Sequence, residues 1–168
     1  MRTIVLVGHG APATDCPAEL VARWKRLEGE RRRAKAAPRD EERALDERIR
    51  RWPRTKDNDP YRAGVEALGV RLAATLGEDV RVAYNEFCAP SLDEVVREAV
   101  ARGARTIVVV PTMLTQGGVH SEVEIPEALD ALRAAHPEVA ITYAWPFDEG
   151  AVADVLAARV RSALDRGS

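Results

Sequence analysis

The chain has 168 residues, 46% hydrophobic and 31% charged, with a formal net charge of −2 at pH 7. That composition is ordinary for a globular protein and suits one domain with a sizeable core, and two cysteines suggest no disulfide framework. Cys16 and Cys88 form no CxxC pair, the opening apolar run stops at His9, and no run approaches the roughly 20 apolar residues of a membrane span, so the expectation is a cytoplasmic protein in a reducing compartment, away from membranes.

In chain order, the first element is a strand, Thr3–Val7, which ends abruptly in Gly8-His9-Gly10. Two charged helices follow, about Ala18–Ala36 and Asp40–Trp52, separated by Pro38 and closed by Pro53. Leu20, Trp24 and Leu27 recur at helical spacing, as do Leu45, Ile49 and Trp52, which makes residues 18–58 a helical hairpin inserted after strand one. Arg23–Lys56 carries 14 basic and 7 acidic residues, a net of +7, and leaves −9 for the rest of the chain, an asymmetry that points to an anionic partner. Helix Asp59–Leu76 has Pro60 in its first turn and Gly77 past its end. Strand Val80–Tyr84 comes next, then helix Ser91–Arg102, with Ser91 and Glu94 spaced as a capping box and Gly103 as the stop. Strand Thr106–Val110, helix Ile125–Ala135, strand Val139–Tyr143 and helix Gly150–Leu164 complete the series. Alternating strands and helices predict an α/β fold built of right-handed βαβ units, a four-stranded parallel sheet flanked by helices. Ligands of such sheets bind beyond the carboxyl ends of the strands.

His9 sits at one such end. His120, in PTMLTQGGVHSEVEIP after strand three, sits at another, and strands one and three of a small doubly wound domain are commonly neighbours, so both histidines face one cleft. His136, before a proline at a helix end, reads as structural. Glu122 and Glu124 add carboxylates. An extended Val119–Glu124 puts His120, Glu122 and Glu124 on one side; an early helix keeps His120 and Glu124 together and turns Glu122 away. Pro126 in the first helical turn favours the extended form. Glu86, in YNEFCAPSL with Tyr84 and Asn85, falls at the same edge of the sheet. Imidazole with carboxylate suits Fe²⁺, Co²⁺, Ni²⁺ or Zn²⁺ and differs from the sulfur-rich set of structural zinc. Gly10, Gly117 and Gly118 leave the backbone bare around the histidines and, with Glu86, are candidate substrate-facing positions. No GxxxxGK[ST], GxGxxG or GxSxG occurs, and Gly8 stands where a histidine phosphatase carries arginine.

The segments IVLVGHGAP, APSLDEVVREAVARGARTIVVVPTML and GGVHSEVEIPEAL resemble the small class II tetrapyrrole chelatases, which include the sirohydrochlorin cobaltochelatases and ferrochelatases. The resemblance covers nearly the whole chain except about residues 18–58. It implies a single chelatase-like domain over 1–168 and ATP-independent insertion of Co²⁺ or Fe²⁺, with Ni²⁺ also open, into a carboxylated tetrapyrrole such as sirohydrochlorin. No cofactor is implied beyond the metal substrate. His9 and His120 become the metal-handling residues and, with Glu124, the catalytic ones. Glu124 falls where the family carries an acidic residue before Ile-Pro, and Glu122 matches the His-x-Glu of the protoporphyrin ferrochelatases, so both are metal-side candidates. Members carry two fused copies of the domain or one that dimerises, which makes a homodimer the expectation. HGA replaces the usual HGS, and the hairpin replaces a short connection. Arg31, Arg32 and Arg33 of that hairpin would attract substrate carboxylates. Nucleic acid is not expected, since the basic segment has two tryptophans, no recognised motif, and an otherwise acidic chain around it. The alternative function is a non-catalytic metal or tetrapyrrole carrier.

Overall fold

Strands β1 (Arg2–Gly8), β2 (Asp79–Tyr84), β3 (Thr106–Pro111) and β4 (Ala140–Tyr143) form one parallel sheet in the order β2-β1-β3-β4. The structure, a computed structural model, describes residues 1–166. Six α-helices flank the sheet: α1 (Ala18–Ala34), α2 (Asp40–Arg50), α3 (Pro60–Leu76), α4 (Leu92–Ala101), α5 (Ile125–Ala135) and α6 (Glu149–Leu164). Among the described residues no helix is long and apolar enough to cross a membrane.

The expected α/β architecture is the observed one, and its register positions the site. Val7 pairs with Ala83 on one side and Pro111 on the other, and Gly8 pairs with Tyr84. The residues leaving β1, β2 and β3 therefore emerge together at the carboxyl edge. One sheet face, Val5, Val7, Ile107, Val109 and Ile141, is sealed by Val95 and Val96 of α4 and Ile125, Leu129 and Leu132 of α5. On the other face α3 lies close over β2, and only glycine permits that approach: a Cβ on Gly69 would sit 2.7 Å from a methyl of Val82. The Pro60, Gly77, Ser91 and Glu94 signals act as predicted, and Asp59 caps α3 from just outside it. The Asp59 carboxylate accepts from the Arg62 amide at 2.9 Å, Gly77 closes α3 in the left-handed region, and Ser91 and Glu94 form both halves of the capping box.

The inserted helices own a small core. Trp24, Leu27, Leu45 and Ile49 pack with Ala13 and Cys16 around Phe87, whose ring meets Trp24 edge-on at 5.0 Å. Arg54 then ties the insertion to the sheet edge. Its side chain is 2% exposed, pairs with Asp59, and donates to the Ala11 carbonyl at 2.8 Å and to the carbonyls of Ile49 and Phe87. Removing one member of a buried ion pair strands the other, at about 3–5 kcal/mol. Arg54→Met is accordingly expected to lower the urea-unfolding free energy by about that amount, whereas an exposed pair such as Arg23–Glu41 should contribute under about 1 kcal/mol by the same measurement.

Candidate metal centre

His9 is the first residue past β1. The loop after β2 zips onto it: the Asn85 amide donates to the Gly8 carbonyl at 2.9 Å and the Glu86 amide to the His9 carbonyl at 2.8 Å. Tyr61 of α3 accepts from the His9 amide at 2.9 Å. This zipping requires glycine at position 10, which has φ +91° and whose Cβ would lie 1.9 Å from the Glu86 carbonyl oxygen. Gly10 thus brings Glu86 to His9.

His120 opens a single π-helical turn, His120–Glu124, that runs directly into α5. The extended form favoured from Pro126 is therefore corrected to the early-helix alternative. Proline has no N–H, and in an α-helix its ring crowds the carbonyl four residues back; the wider π turn, in which the Ile125 amide reaches the His120 carbonyl, relieves that conflict. The turn keeps His120 and Glu124 on one face and sends Glu122 away to accept from the Gly117 amide at 2.6 Å. The Gly118 carbonyl accepts from the Glu122 amide at 3.0 Å and from Ser121 Oγ at 3.2 Å, so both glycines serve the turn itself.

The two histidines meet. His9 Nε2 and His120 Nε2 lie 3.0 Å apart with the rings nearly perpendicular. Their other nitrogens are held from behind. His9 Nδ1 lies 2.7 Å from the Gly10 carbonyl, which only accepts, and His120 Nδ1 lies 2.7 Å from Glu124 Oε2 and 2.9 Å from Asn85 Nδ2. Two ring nitrogens this close need a proton or a cation between them. A metal–nitrogen bond of about 2.1 Å with a right angle at the metal sets two nitrogens about 3.0 Å apart. Glu86 Oε2, 3.9 Å from His9 Nε2, offers a third donor, and the donor atoms of His9, Glu86 and His120 all lie within 4.8 Å of one another.

The carboxylates are differently held. Burial pushes Glu86 up from the ordinary range, helped by the nearby Glu28 and Glu124 and opposed by His120 and His9. Burial works on Glu124 too, but hydrogen bonds from His120, Asn85 and Arg32 and the Arg32 charge outweigh it and hold that carboxyl low. Asn85 Nδ2 donates to Glu124 Oε2 at 2.7 Å, and Arg32 binds Glu124 Oε1. Glu124 therefore has both oxygens engaged and orients His120, whereas Glu86 is the carboxylate available to an ion.

Beside this centre opens a cleft of about 870 Å³, walled by Asn85, Glu86, Glu124, Val119 and Val123 on the sheet side and by α1 and α2 on the other. Of the three arginines singled out in α1, Arg31 and Arg32 line it and Arg33 does not. Arg31 is paired with the buried Glu42 at 2.6 Å, and Arg32 with Glu28 and Glu124. Much of the insertion's positive charge is neutralised by such pairs. Asn85 and Glu28 acquire roles that sequence reasoning missed; the visible signals were the position of Asn85 one residue past β2 and the i, i+4 spacing of Glu28 and Arg32.

The fold and the facing histidines define a class: a parallel α/β domain presenting an imidazole–carboxylate centre at the carboxyl edge of its sheet. Residues 55–163 match the CbiX family, and the chain belongs to that family, as the motifs resembling small chelatases imply. The match begins after α2, so His9, α1 and α2 lie outside it. A sirohydrochlorin cobaltochelatase of Priestia megaterium is 36% identical over 67 residues, 40% of this chain and 22% of the relative. Another, from Methanopyrus kandleri, is 42% identical over 52 residues, 31% of this chain and 36% of the relative. The matches thus span only part of these curated relatives. The crystal structure of a CbiX protein from Marinobacter aquaeolei VT8 superposes with a TM-score of 0.60 over 99% of both chains at 22% identity, a likeness of fold.

Asn85→Ala removes the donor that braces Glu124 beneath His120. Outer partners of metal-binding histidines are typically worth 10–100-fold in affinity, and a Co²⁺ titration of this variant is expected to show a loss of about that size with the circular dichroism unchanged.

Proposed function

We propose that this chain inserts a divalent metal into a carboxylated tetrapyrrole such as sirohydrochlorin, without ATP. The observation that carries the reading is the pair of histidine Nε2 atoms 3.0 Å apart, beside an acidic residue and a cleft of about 870 Å³. Membership of the CbiX family and the names of the curated relatives supply the substrate class. Such cleft volumes hold ligands of this general size. Co²⁺ and Fe²⁺ are the proposed metals, and Ni²⁺ suits the same donors. The buried thiols of Cys16 and Cys88 suit a reducing cytoplasm.

His9 and His120 hold the ion through Nε2, and few protein ligands leave positions open through which it passes to the macrocycle. Metallation also removes two pyrrole protons. Glu86, with its pKa raised by burial, is the better acceptor, because a base works best with its pKa near the working pH. Glu124 stays ionised and keeps His120 in the tautomer that binds metal.

Mixing the protein with sirohydrochlorin and Co²⁺ and following the absorption change tests the reading. His9→Ala and His120→Ala should each slow metallation about 10²-fold or more while retaining the fold. Stoichiometric binding with no turnover by the wild type would make the protein a carrier.

The active form is proposed to be a homodimer. Helix α6 buries none of its residues and leaves Val155, Leu156 and Val160 exposed, while Val108 and Val110 on one sheet face are only partly covered. A lone helix of this length is marginal in water, and a second copy supplies apolar cover for both surfaces. Sedimentation velocity at micromolar concentration should show a dimer, and Val155→Glu with Val160→Glu should shift it to monomer.

A further inference from the structure

Glu86 belongs to two clusters at once. Its carboxylate oxygens lie within 4.8 Å of the donor nitrogens of His9 and His120 on one side, and of the carboxylates of Glu28 and Glu124 on the other. The second cluster already contains a cation. Arg32 Nη2 lies 2.7 Å from Glu28 Oε1, binds Glu124 Oε1, and stands 3.8 Å from Glu86 Oε1. Three carboxylates this close, each no more than 21% exposed, repel one another unless a positive charge sits among them. Arg32 supplies it, from the last turn of a helix that belongs to the insertion.

We propose that Arg32 is a built-in competitor for the metal. The guanidinium occupies the carboxylate wall of the centre, and a divalent ion seated on His9 and His120 draws Glu86 away from it. Glu86 is poised for that exchange, 3.8 Å from Arg32 on one oxygen and 3.9 Å from His9 Nε2 on the other. A protein that must surrender its metal needs the site to relax once the ion departs, and a tethered guanidinium that retakes the carboxylates does this without leaving buried charge uncompensated. It also keeps the centre from holding the ion too tightly. The inference rests on the metal-handling reading of His9 and His120.

The test uses Co²⁺ alone, in competition with a chromophoric chelator, on the wild-type protein, Arg32→Gln, Arg32→Lys and His120→Ala. Arg32 is more than a third exposed, so the glutamine variant should fold, and its urea-unfolding midpoint checks this. Loss of the competing charge should tighten Co²⁺ binding by about tenfold or more in Arg32→Gln and slow Co²⁺ release in proportion. Arg32→Lys, which keeps the charge but not the fork, should fall between it and the wild type. Equal or weaker Co²⁺ binding by Arg32→Gln overturns the proposal and makes Arg32 a structural brace for the carboxylates. If His120→Ala binds Co²⁺ as well as the wild type, the metal centre itself fails, a result separable from any outcome at Arg32.

Discussion

Two imidazole nitrogens 3.0 Å apart need a proton or a cation between them, and the carboxyl edge of the sheet is organised around that contact. It exists because β1 and β3 are neighbours in register, which brings the residues after Gly8 and after Pro111 to one place. Partners behind each ring, the Gly10 carbonyl for His9 and the Glu124 carboxylate with the Asn85 amide for His120, hold both Nδ1 atoms and turn both Nε2 atoms inward. A cation is what such a pair is suited to receive.

Division of labour among the carboxylates follows from how each is held. Glu124 is spoken for on both oxygens and acts through His120. Glu86 is half-buried, raised in pKa and lightly engaged, and its position depends on Gly10, against which its backbone presses. Glu122 leaves the cluster because the π turn rotates it out, and the same turn resolves the conflict between Pro126 and a continuous helix.

Most of the fold was legible in the sequence, since strand runs, caps and stops are local signals: Pro60, Gly77, Ser91 and Glu94 act where their types and spacing place them. The histidine pair was legible through topology. What was not legible depended on side-chain geometry that no local pattern encodes. A proline after His-x-x-x-Glu reads as the start of a helix, and only the packed turn reveals that the helix begins earlier with a π bulge. Likewise the +7 of the insertion reads as a steering surface, yet Arg31, Arg32, Arg50 and Arg54 are bound to acids or carbonyls, which composition cannot disclose.

The insertion is therefore part of the centre's architecture. Its small core grips Phe87, two residues past Asn85, and Arg54 fixes it to the loops after β1 and β2. The central claim is that His9 and His120 together hold a divalent ion, and X-ray absorption at the cobalt edge of the Co²⁺-loaded protein tests it most directly. The account predicts two imidazole nitrogens at about 2.1 Å with the outer-shell signature of the rings, reduced to one in His9→Ala. A cobalt environment of oxygens alone, unchanged in that variant, would contradict it.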